Sequence, residues 1–335
     1  MNIGKQALFT GGFISASFLI STVVTFLVIK LCKKKAWYDS VNERKVHTGL
    51  VPRLGGIGFV PVAMVLAVIC NLLTGSFNIT NQPAVCSALA IFIFGVLDDF
   101  VDLKADIKLM VQVVAALVVM GFNFMYINAI LAIISFFWII GIVNSYNLID
   151  GIDGLCGTLS LMACCTFGLY YWNLDTDIAT TCFVLCGSIA GFLVFNAKNA
   201  KIFMGDGGSQ FLGFFIATLA LFQFRYGFTV EKCLIALNIV SIPMIDCVAS
   251  IWRRLREHRA IMSPDKRHLH HKIMSLGFNA TQTLLILISV QALVCGVCIV
   301  SWHLETITAN ILLGSCYAIM IILFSVVHYI SRAKD

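Results

Sequence analysis

Apolar stretches long enough to cross a lipid bilayer recur through almost the whole chain. A helix crosses the hydrocarbon core with about 20 apolar residues, and about eleven such stretches can be placed in the 335 residues. They fall near residues 8–31, 55–73, 83–97, 107–122, 126–145, 155–172, 178–196, 208–224, 232–251, 282–301 and 306–330. No segment between them is large enough for a separate soluble domain. The sequence therefore predicts an all-α, polytopic membrane protein with one transmembrane domain over residues 1–335.

Composition and the N-terminus agree with this prediction. The chain is 59% hydrophobic and 12% charged, whereas soluble domains carry about a quarter charged residues. A signal peptide is the alternative for the first apolar run, but that run extends from about Ala7 to Leu31 and no small-residue cleavage site follows it. The 13 cysteines lack the spacing of a zinc site or a disulfide framework, so no metal or redox role is predicted for them.

Lys and Arg are concentrated on one side of the predicted topology. Alternate threading of the spans puts on that side the segments 32–54, 98–106, 146–154, 197–207, 252–281 and 331–335. Of the 23 Lys and Arg residues, only Lys5, Arg225 and Lys232 fall on the other side, and the remaining 20 lie inside or at the inner membrane edge. The positive-inside rule makes this side cytoplasmic, with the N-terminus outside in the periplasm and the C-terminus inside. Topology thus explains the net charge of +6, and no nucleic-acid partner is predicted.

The predicted cytoplasmic loops carry most of the acids, although ionisable groups at membrane depth are costly. Asp98 and Asp99 are adjacent, and neighbouring carboxylates repel each other unless a cation or proton intervenes. Hard oxygen ligands suit Mg²⁺, which also pairs with substrate phosphates. This pair therefore predicts a magnesium and diphosphate site, with a solvated loop that caps a helix as the alternative.

Two glycine-rich acidic segments follow in later loops. In the first, Asp150 and Asp153 stand three residues apart in a tight turn, close enough to converge on one ligand; a calcium loop is disfavoured because the twelve-residue spacing is absent. The second, FMGDGGS over 203–209, contains Asp206 and precedes an apolar run. Its backbone amides are expected to face an anion at a helix N-terminus, with a plain glycine turn as the alternative.

Three histidines lie among basic residues in the most polar part of the chain, SPDKRHLHHK over 263–272. Nearby cations oppose the binding of a further positive charge, but they favour a phosphate. A phosphate site is therefore predicted here, while zinc binding and a merely solvated loop stay open as alternatives.

The order of these motifs resembles that of the polyprenyl-phosphate N-acetylhexosamine-1-phosphate transferases, the glycosyltransferase 4 or MraY-like superfamily. The motifs are LDDFVDL (97–103), NSYNLIDGIDGL (144–155), FMGDGGS (203–209) and PDKRHLHH (264–271), with KVHTGLVPRLGG (45–56) as a fifth. The chain is similar to the WecA type, which makes undecaprenyl-diphospho-N-acetylglucosamine. Three features favour that type: the continuation of the first acidic motif through Asp102, the HLHH cluster, and a predicted cytoplasmic C-terminus.

The resemblance implies a single transmembrane catalytic domain with Mg²⁺ as the cofactor and Mn²⁺ as the alternative. The implied metal ligands are Asp206, Asp98 and Asp99, which with His268 form the implied catalytic set. Asp98 is implied to act either as a base or only as a metal or phosphate ligand. Substrate contacts are implied at Lys45, His47, Arg53, Lys108, Asn147, Asp150, Asp153, Phe203, Arg267, His270 and His271.

The implied reaction transfers N-acetylglucosamine 1-phosphate from UDP-N-acetylglucosamine to undecaprenyl phosphate and releases UMP. It is the first membrane step of a cell-envelope polysaccharide such as O-antigen lipopolysaccharide, at the cytoplasmic face of a bacterial inner membrane. Close relatives use other UDP-sugars, including UDP-N-acetylquinovosamine, UDP-N-acetylfucosamine and UDP-N-acetylmuramoyl-pentapeptide. Membrane lipid is an expected partner, and a homodimer stays open. A transporter is the rival class, but it is disfavoured because the acids cluster at one helix-end level and no matching halves are apparent.

Overall fold

The computed structural model describes residues 3–38, 51–123, 129–260 and 267–332. In these ranges the chain is helical and has no β-strand, which confirms the predicted fold class. The α-helices are α1 (Ile3–Lys35), α2 (Gly55–Thr74), α3 (Gln82–Val101), α4 (Ala105–Asn123), α5 (Ala129–Ile149), α6 (Leu155–Tyr171), α7 (Thr176–Asn196), α8 (Gly205–Phe222), α9 (Val230–Ile239), α10 (Ser241–Arg256), α11 (Leu269–Ser275), α12 (Ala280–Ser301) and α13 (Thr306–Arg332). Short 3-10 turns precede α3 and follow α8.

Most of these helices are membrane spans by length and composition. Nine helices of the described ranges are long and apolar enough to cross a bilayer, and the bent pair α9 and α10 raises the number to ten. Helix α6 is apolar but only 17 residues long. The chain is thus a multi-pass membrane protein, while the exact count of eleven spans and the orientation of the termini stay predictions.

The ninth predicted span is not one straight helix. The run 232–251 forms α9 and α10, whose axes differ by 79°. Pro243 explains the break, because it has no N–H to donate to the carbonyl of Ile239 and its ring crowds that carbonyl. The side-chain amide of Gln291 in α12 donates to the Ile239 carbonyl at 2.9 Å instead. The bend is therefore stabilised by a hydrogen bond from a neighbouring helix.

Helix α8 is the centre of the bundle, since every one of its residues is buried. It packs against α2, α3, α5 and α6. Glycines allow a close approach at its N-terminal end: a Cβ on Gly95 of α3 would lie 2.5 Å from the Cα of Gly207, and one on Gly56 of α2 would lie 2.7 Å from the nitrogen of Gly208. Asp206 therefore lies in the first turn of α8, between the beginning of α2 and the end of α3.

Candidate active site

Carboxylates from α3 and α8 meet at one ammonium group. Nζ of Lys108 in α4 lies 2.5 Å from Oδ2 of Asp98 and 3.4 Å from Oδ2 of Asp206. Nη2 of Arg53 donates to Oδ1 of Asp206 at 2.9 Å. The second oxygen of Asp98 accepts from the backbone N–H of Leu103 at 2.7 Å, which closes the end of α3. Four of the predicted site residues are thus in direct contact.

Asp99 is directed at the start of α8. Its carboxylate accepts hydrogen bonds from the backbone N–H groups of Asp206 at 2.8 Å and Gly207 at 3.2 Å. Nε of Arg53 lies 3.6 Å from it, and the carboxylate is almost fully buried. The anion at this helix N-terminus is therefore a side chain of the protein, which fixes the position of Asp206.

The backbone around Asp206 is held by the segment before α2. Phe203 donates its N–H to the carbonyl of Pro52 at 2.8 Å, and Gly55 donates to the carbonyl of Phe203 at 2.9 Å. Gly205 has a φ of +77°, and a Cβ at this position would lie 2.0 Å from the carbonyl oxygen of Arg53. Only glycine suits that backbone conformation and that close approach. Phe203 itself is half-buried.

The turn after α5 carries the next two acids. Oδ2 of Asp153 accepts from the N–H of Ala200 at 2.9 Å, so Asp153 ties this turn to the segment that leads into α8. Asn196 adds a second tie: it accepts from the N–H of Gly154 at 3.0 Å and donates to the carbonyl of Ile202 at 2.9 Å. Burial, with a smaller contribution from the charge of Asp206, raises the pKa of Asp150 to about 7.

Amides, two of them buried and two half-buried, form a polar layer behind the acids. Asn147 accepts a hydrogen bond from the hydroxyl of Ser209 at 2.8 Å. Deeper in the bundle, Asn144 donates to Gln112 at 2.8 Å, and Gln112 donates to Gln210 at 3.3 Å. This network joins α4, α5 and α8 below the carboxylates. Because each buried amide has a partner, the network holds these three helices in one arrangement.

The histidine cluster lies against the turn of Asp150 and Asp153. A Cβ on Gly151 would lie 2.5 Å from the ring of His270, so the two motifs are in contact. His270 is buried, and Nδ1 of its ring has no hydrogen-bond partner among the residues that the structure describes. Burial, with a smaller effect from His271, lowers its pKa to about 3. His270 is therefore neutral at physiological pH. It can accept a hydrogen bond from a ligand or donate one to it.

Asp246 of α10 positions the beginning of α11. Its Oδ2 lies 3.0 Å from Nδ1 of His268, and its Oδ1 accepts from the N–H of Leu269 at 2.8 Å. Both Asp246 and His268 are buried. A carboxylate on Nδ1 fixes the orientation of the imidazole and favours the tautomer with the proton on Nδ1.

The remaining predicted contacts lie further out or outside the described ranges. Arg267 is exposed and donates to both carboxylate oxygens of Glu257 at 2.7 Å. The ring of His271 lies near that of His270, with centroids 4.2 Å apart and planes tilted by 47°, but His271 also lines a cavity towards α13. Lys45 and His47 lie outside the described residues. The substrate roles of these four residues stay predictions.

The donor set suits a magnesium ion that shares its shell with a substrate. Among the described residues, no group of three or more Asp, Glu, His or Cys side chains forms a ready metal site. Mg²⁺ in proteins is usually bound through one or two carboxylates, with phosphate oxygens and waters completing the shell. Asp98 and Asp206 supply two such carboxylates at one point. The residues therefore fit Mg²⁺, whose presence stays a prediction.

The charge balance points in the same direction. Asp98, Asp99, Asp150 and Asp206 face the cations Arg53 and Lys108, which leaves a formal charge of −2 when all six are ionised. An anionic ligand would be repelled by this group alone. A divalent cation would neutralise it, so an anion and a metal ion are expected to bind together.

Sequence reasoning missed three kinds of residue here. Asp246 lies inside the ninth predicted span, where an acid in an apolar run was a readable signal. Gln112 and Gln210 also lie inside apolar runs, where two amides among hydrophobic residues give the same kind of signal. Asn196 ends a span, and no sequence signal separates its role from that of an ordinary helix-terminal amide.

The sequence of this chain is similar to a known protein family and to known enzymes. A family model described as glycosyl transferase family 4 matches residues 82–223. This range includes the four acids of the site, Asp98, Asp99, Asp150 and Asp206, which we call the carboxylate cluster. The chain is 30% identical over 302 residues to undecaprenyl-phosphate alpha-N-acetylglucosaminyl 1-phosphate transferase of Escherichia coli (strain K12), covering 84% of this chain and 80% of that protein. It is 31% identical over 287 residues to a probable undecaprenyl-phosphate N-acetylglucosaminyl 1-phosphate transferase of Bacillus subtilis (strain 168), covering 81% and 79%.

Proposed function

This chain belongs to glycosyl transferase family 4 and is a phosphotransferase, and we propose that it transfers N-acetylglucosamine 1-phosphate from UDP-N-acetylglucosamine to undecaprenyl phosphate. The products are undecaprenyl-diphospho-N-acetylglucosamine and UMP. The active site faces the cytoplasm at the inner membrane, and the product begins a cell-envelope polysaccharide.

One observation supports the reaction above the others: Asp98 and Asp206 share the ammonium of Lys108 while Arg53 contacts Asp206. Hydrolytic and acyl-transfer sites need an activated nucleophile. Phosphoryl transfer between two anions instead needs cations and positioning, since its barrier comes largely from charge. A cluster of acids interleaved with Lys and Arg provides sites for a metal ion and for phosphate oxygens.

In the proposed reaction, an oxygen of the acceptor phosphate attacks the β-phosphorus of the nucleotide sugar. The new P–O bond forms as the bond from the β-phosphorus to the bridging oxygen breaks, and the electron pair leaves with UMP. A phosphate monoester has its second pKa near 6, so much of the acceptor is already a dianion at pH 7. Asp98 therefore does not need to remove a proton from the acceptor.

Each side chain of the cluster has a proposed task. Asp98 and Asp206 would hold Mg²⁺, which neutralises the phosphate charge when bound. Lys108 and Arg53 keep the carboxylates in place and offset the charge that remains. The neutral ring of His270, which lies beside Gly151, donates to or accepts from the diphosphate or the sugar. Asp99 acts through the backbone of α8 by holding Asp206.

The direct test is a substrate panel. Purified protein is incubated with Mg²⁺, undecaprenyl phosphate and, in separate reactions, UDP-N-acetylglucosamine, UDP-N-acetylgalactosamine, UDP-N-acetylquinovosamine and UDP-N-acetylmuramoyl-pentapeptide, and UMP and lipid product are measured. We expect UMP and lipid product with UDP-N-acetylglucosamine, and a loss of about 100-fold or more in Asp206→Asn. Lys34→Gln, on the exposed end of α1, is the control and should retain activity. No UMP with any sugar would remove the proposal, and preference for another sugar would correct its substrate.

A further inference from the structure

A cavity of about 630 Å³ lies between α10, α11 and α13. Its walls contain none of the four acids of the carboxylate cluster. Helix α11 lies between the two regions, because His270 contacts Gly151 while His271 and Lys272 line the cavity. The cavity therefore lies outside the four-acid cluster, although it borders the histidine cluster through Asp246, which contacts His268.

The walls of this cavity combine positive charge with apolar surface. The lining contains four cations and two acids, Arg253, Arg256, Arg267, Lys272, Asp246 and Glu257, together with two histidines. Four cations against two acids leave a formal surplus of two positive charges before either histidine is protonated. The acids are already engaged within the protein, Asp246 with His268 and Glu257 with Arg267. Charge complementarity therefore favours an anion.

The apolar part of the lining comes partly from α13, a helix long and apolar enough to span a membrane. Ile321 and Phe324 of α13 form one wall, and the ring of Trp252 forms part of another. Trp252 and Tyr329 are each 70% exposed on the protein surface at this level. Tryptophan and tyrosine are enriched where a membrane protein meets the head groups. The exposed aromatic side chains at the cavity are thus of the types that are common at a membrane interface.

We propose that this cavity binds the phosphodiester head group of an anionic glycerophospholipid, with its acyl chains along α13. Basic pockets between transmembrane helices on the cytoplasmic side bind such head groups. The volume lies in the range of about 300–1,000 Å³ that is usual for small-molecule sites. This inference uses the cytoplasmic orientation of the proposed function but not its reaction. A lipid bound here would contact α11, and so support the helix that carries His270.

Tryptophan quenching in nanodiscs tests this proposal without any catalytic step. The full chain is placed in phosphatidylcholine nanodiscs with a fixed small fraction of brominated phosphatidylglycerol or, in parallel, brominated phosphatidylcholine. The contribution of Trp252 is the difference between the wild type and Trp252→Phe. We expect stronger quenching of Trp252 by the brominated phosphatidylglycerol, with a preference that falls about fivefold or more in the variant that combines Arg256→Gln and His328→Gln.

Charge-matched controls keep the test specific. Arg256→Lys should keep the preference, and so should the combination of Lys34→Gln and Lys35→Gln, which removes two charges from the predicted cytoplasmic end of α1. Equal quenching by the two brominated lipids would overturn the proposal, and so would an unchanged preference in the Arg256 and His328 variant.

Competition identifies the source of the phosphate. Unlabelled phosphatidylglycerol should relieve the quenching, whereas inorganic phosphate at a large excess should not. Displacement by inorganic phosphate would show a soluble-anion site. Displacement by an equal mole fraction of undecaprenyl phosphate would show a site for the acceptor. Either result would overturn the assignment to a glycerophospholipid.

Discussion

The ammonium of Lys108 lies 2.5 Å from a carboxylate oxygen of Asp98, so a side chain of α4 neutralises an acid of α3 at the centre of the site. Lys108 also reaches Asp206, which makes it the common partner of two proposed Mg²⁺ ligands. An ammonium and a metal ion compete for the same oxygens. Lys108 therefore holds the two acids together, and it would compete with Mg²⁺ in the proposed site.

Replacing Lys108 should separate these two effects. In Lys108→Gln we expect kcat/KM to fall about 100-fold, because a cation beside the phosphates is lost. The Mg²⁺ concentration for half-maximal activity should fall as well, because the ammonium no longer competes. Initial rates over a Mg²⁺ titration measure both quantities. A higher Mg²⁺ requirement in the variant would contradict the shared-oxygen arrangement.

Asp246 should affect activity through His268. In Asp246→Asn the acceptor for the Leu269 N–H is kept on one atom, but the carboxylate that fixes the His268 ring is lost. We expect kcat to fall about 10-fold or more, while KM for the UDP-sugar changes less.

Asp177 provides the matched control for that variant. It is a buried acid in α7 that accepts from Asn71 and, at 2.7 Å, from Asn81, and it lies outside the motifs. Asp177→Asn should lower the unfolding temperature about as much as Asp246→Asn does, with near-normal kcat. Equal losses of kcat in the two variants would show that Asp246 is only structural.

The bend between α9 and α10 gives a coupled prediction. Gln291→Leu leaves the buried Ile239 carbonyl without its donor and should cost about 1–2 kcal/mol of unfolding free energy. Pro243→Ala restores an N–H that can donate to this carbonyl. In the Pro243→Ala background, the loss of unfolding free energy caused by Gln291→Leu should fall to less than half of its value in the wild type. Unfolding in detergent measures this double-mutant cycle, and strictly additive effects would refute the explanation of the bend.

The low pKa of His270 predicts a pH-dependent stability. The unfolded chain binds a proton near pH 6.5, whereas folded His270 accepts one only near pH 3. The contribution of neutral His270 to the stability of the fold is therefore complete above pH 6.5 and declines as the pH falls towards 3. Between pH 7.5 and pH 5, His270 should account for a loss of about 2 kcal/mol. Melting curves should show a shallower pH dependence in His270→Gln, whereas His303→Gln, at an exposed site, should keep the wild-type slope.

Hydropathy predicts the positions of the membrane helices well, except where one residue breaks a helix. Every predicted apolar run coincides with a helix or, in the ninth run, with a helix pair. Pro243 was visible in that run, but averaged hydropathy does not register a missing N–H. Nor does it show that Gln291, about fifty residues later, supplies the replacement donor. That partner depends on how α12 packs against α9, which is a tertiary property.

The site followed from the motifs in part. Asp98 and Asp206 meet as expected, because the C-terminal ends of α3 and α5 lie beside the N-terminal end of α8. The histidine motif was expected to act as one phosphate-binding unit, yet helix geometry turns successive side chains by about 100°. His270 therefore faces Gly151, while His271 lines the cavity of α13. A seven-residue polar helix such as α11 has no periodicity long enough to be read from sequence.

The fate of the β-phosphate tests the central claim most directly. UDP-N-acetylglucosamine labelled with ³²P at the β-position is incubated with the purified protein, Mg²⁺ and undecaprenyl phosphate, and the lipid and nucleotide products are separated. A sugar-phosphate transferase moves the label to the lipid and releases unlabelled UMP, and this is the result we predict. Labelled UDP together with an unlabelled glycolipid would show transfer of the sugar alone and would contradict the account.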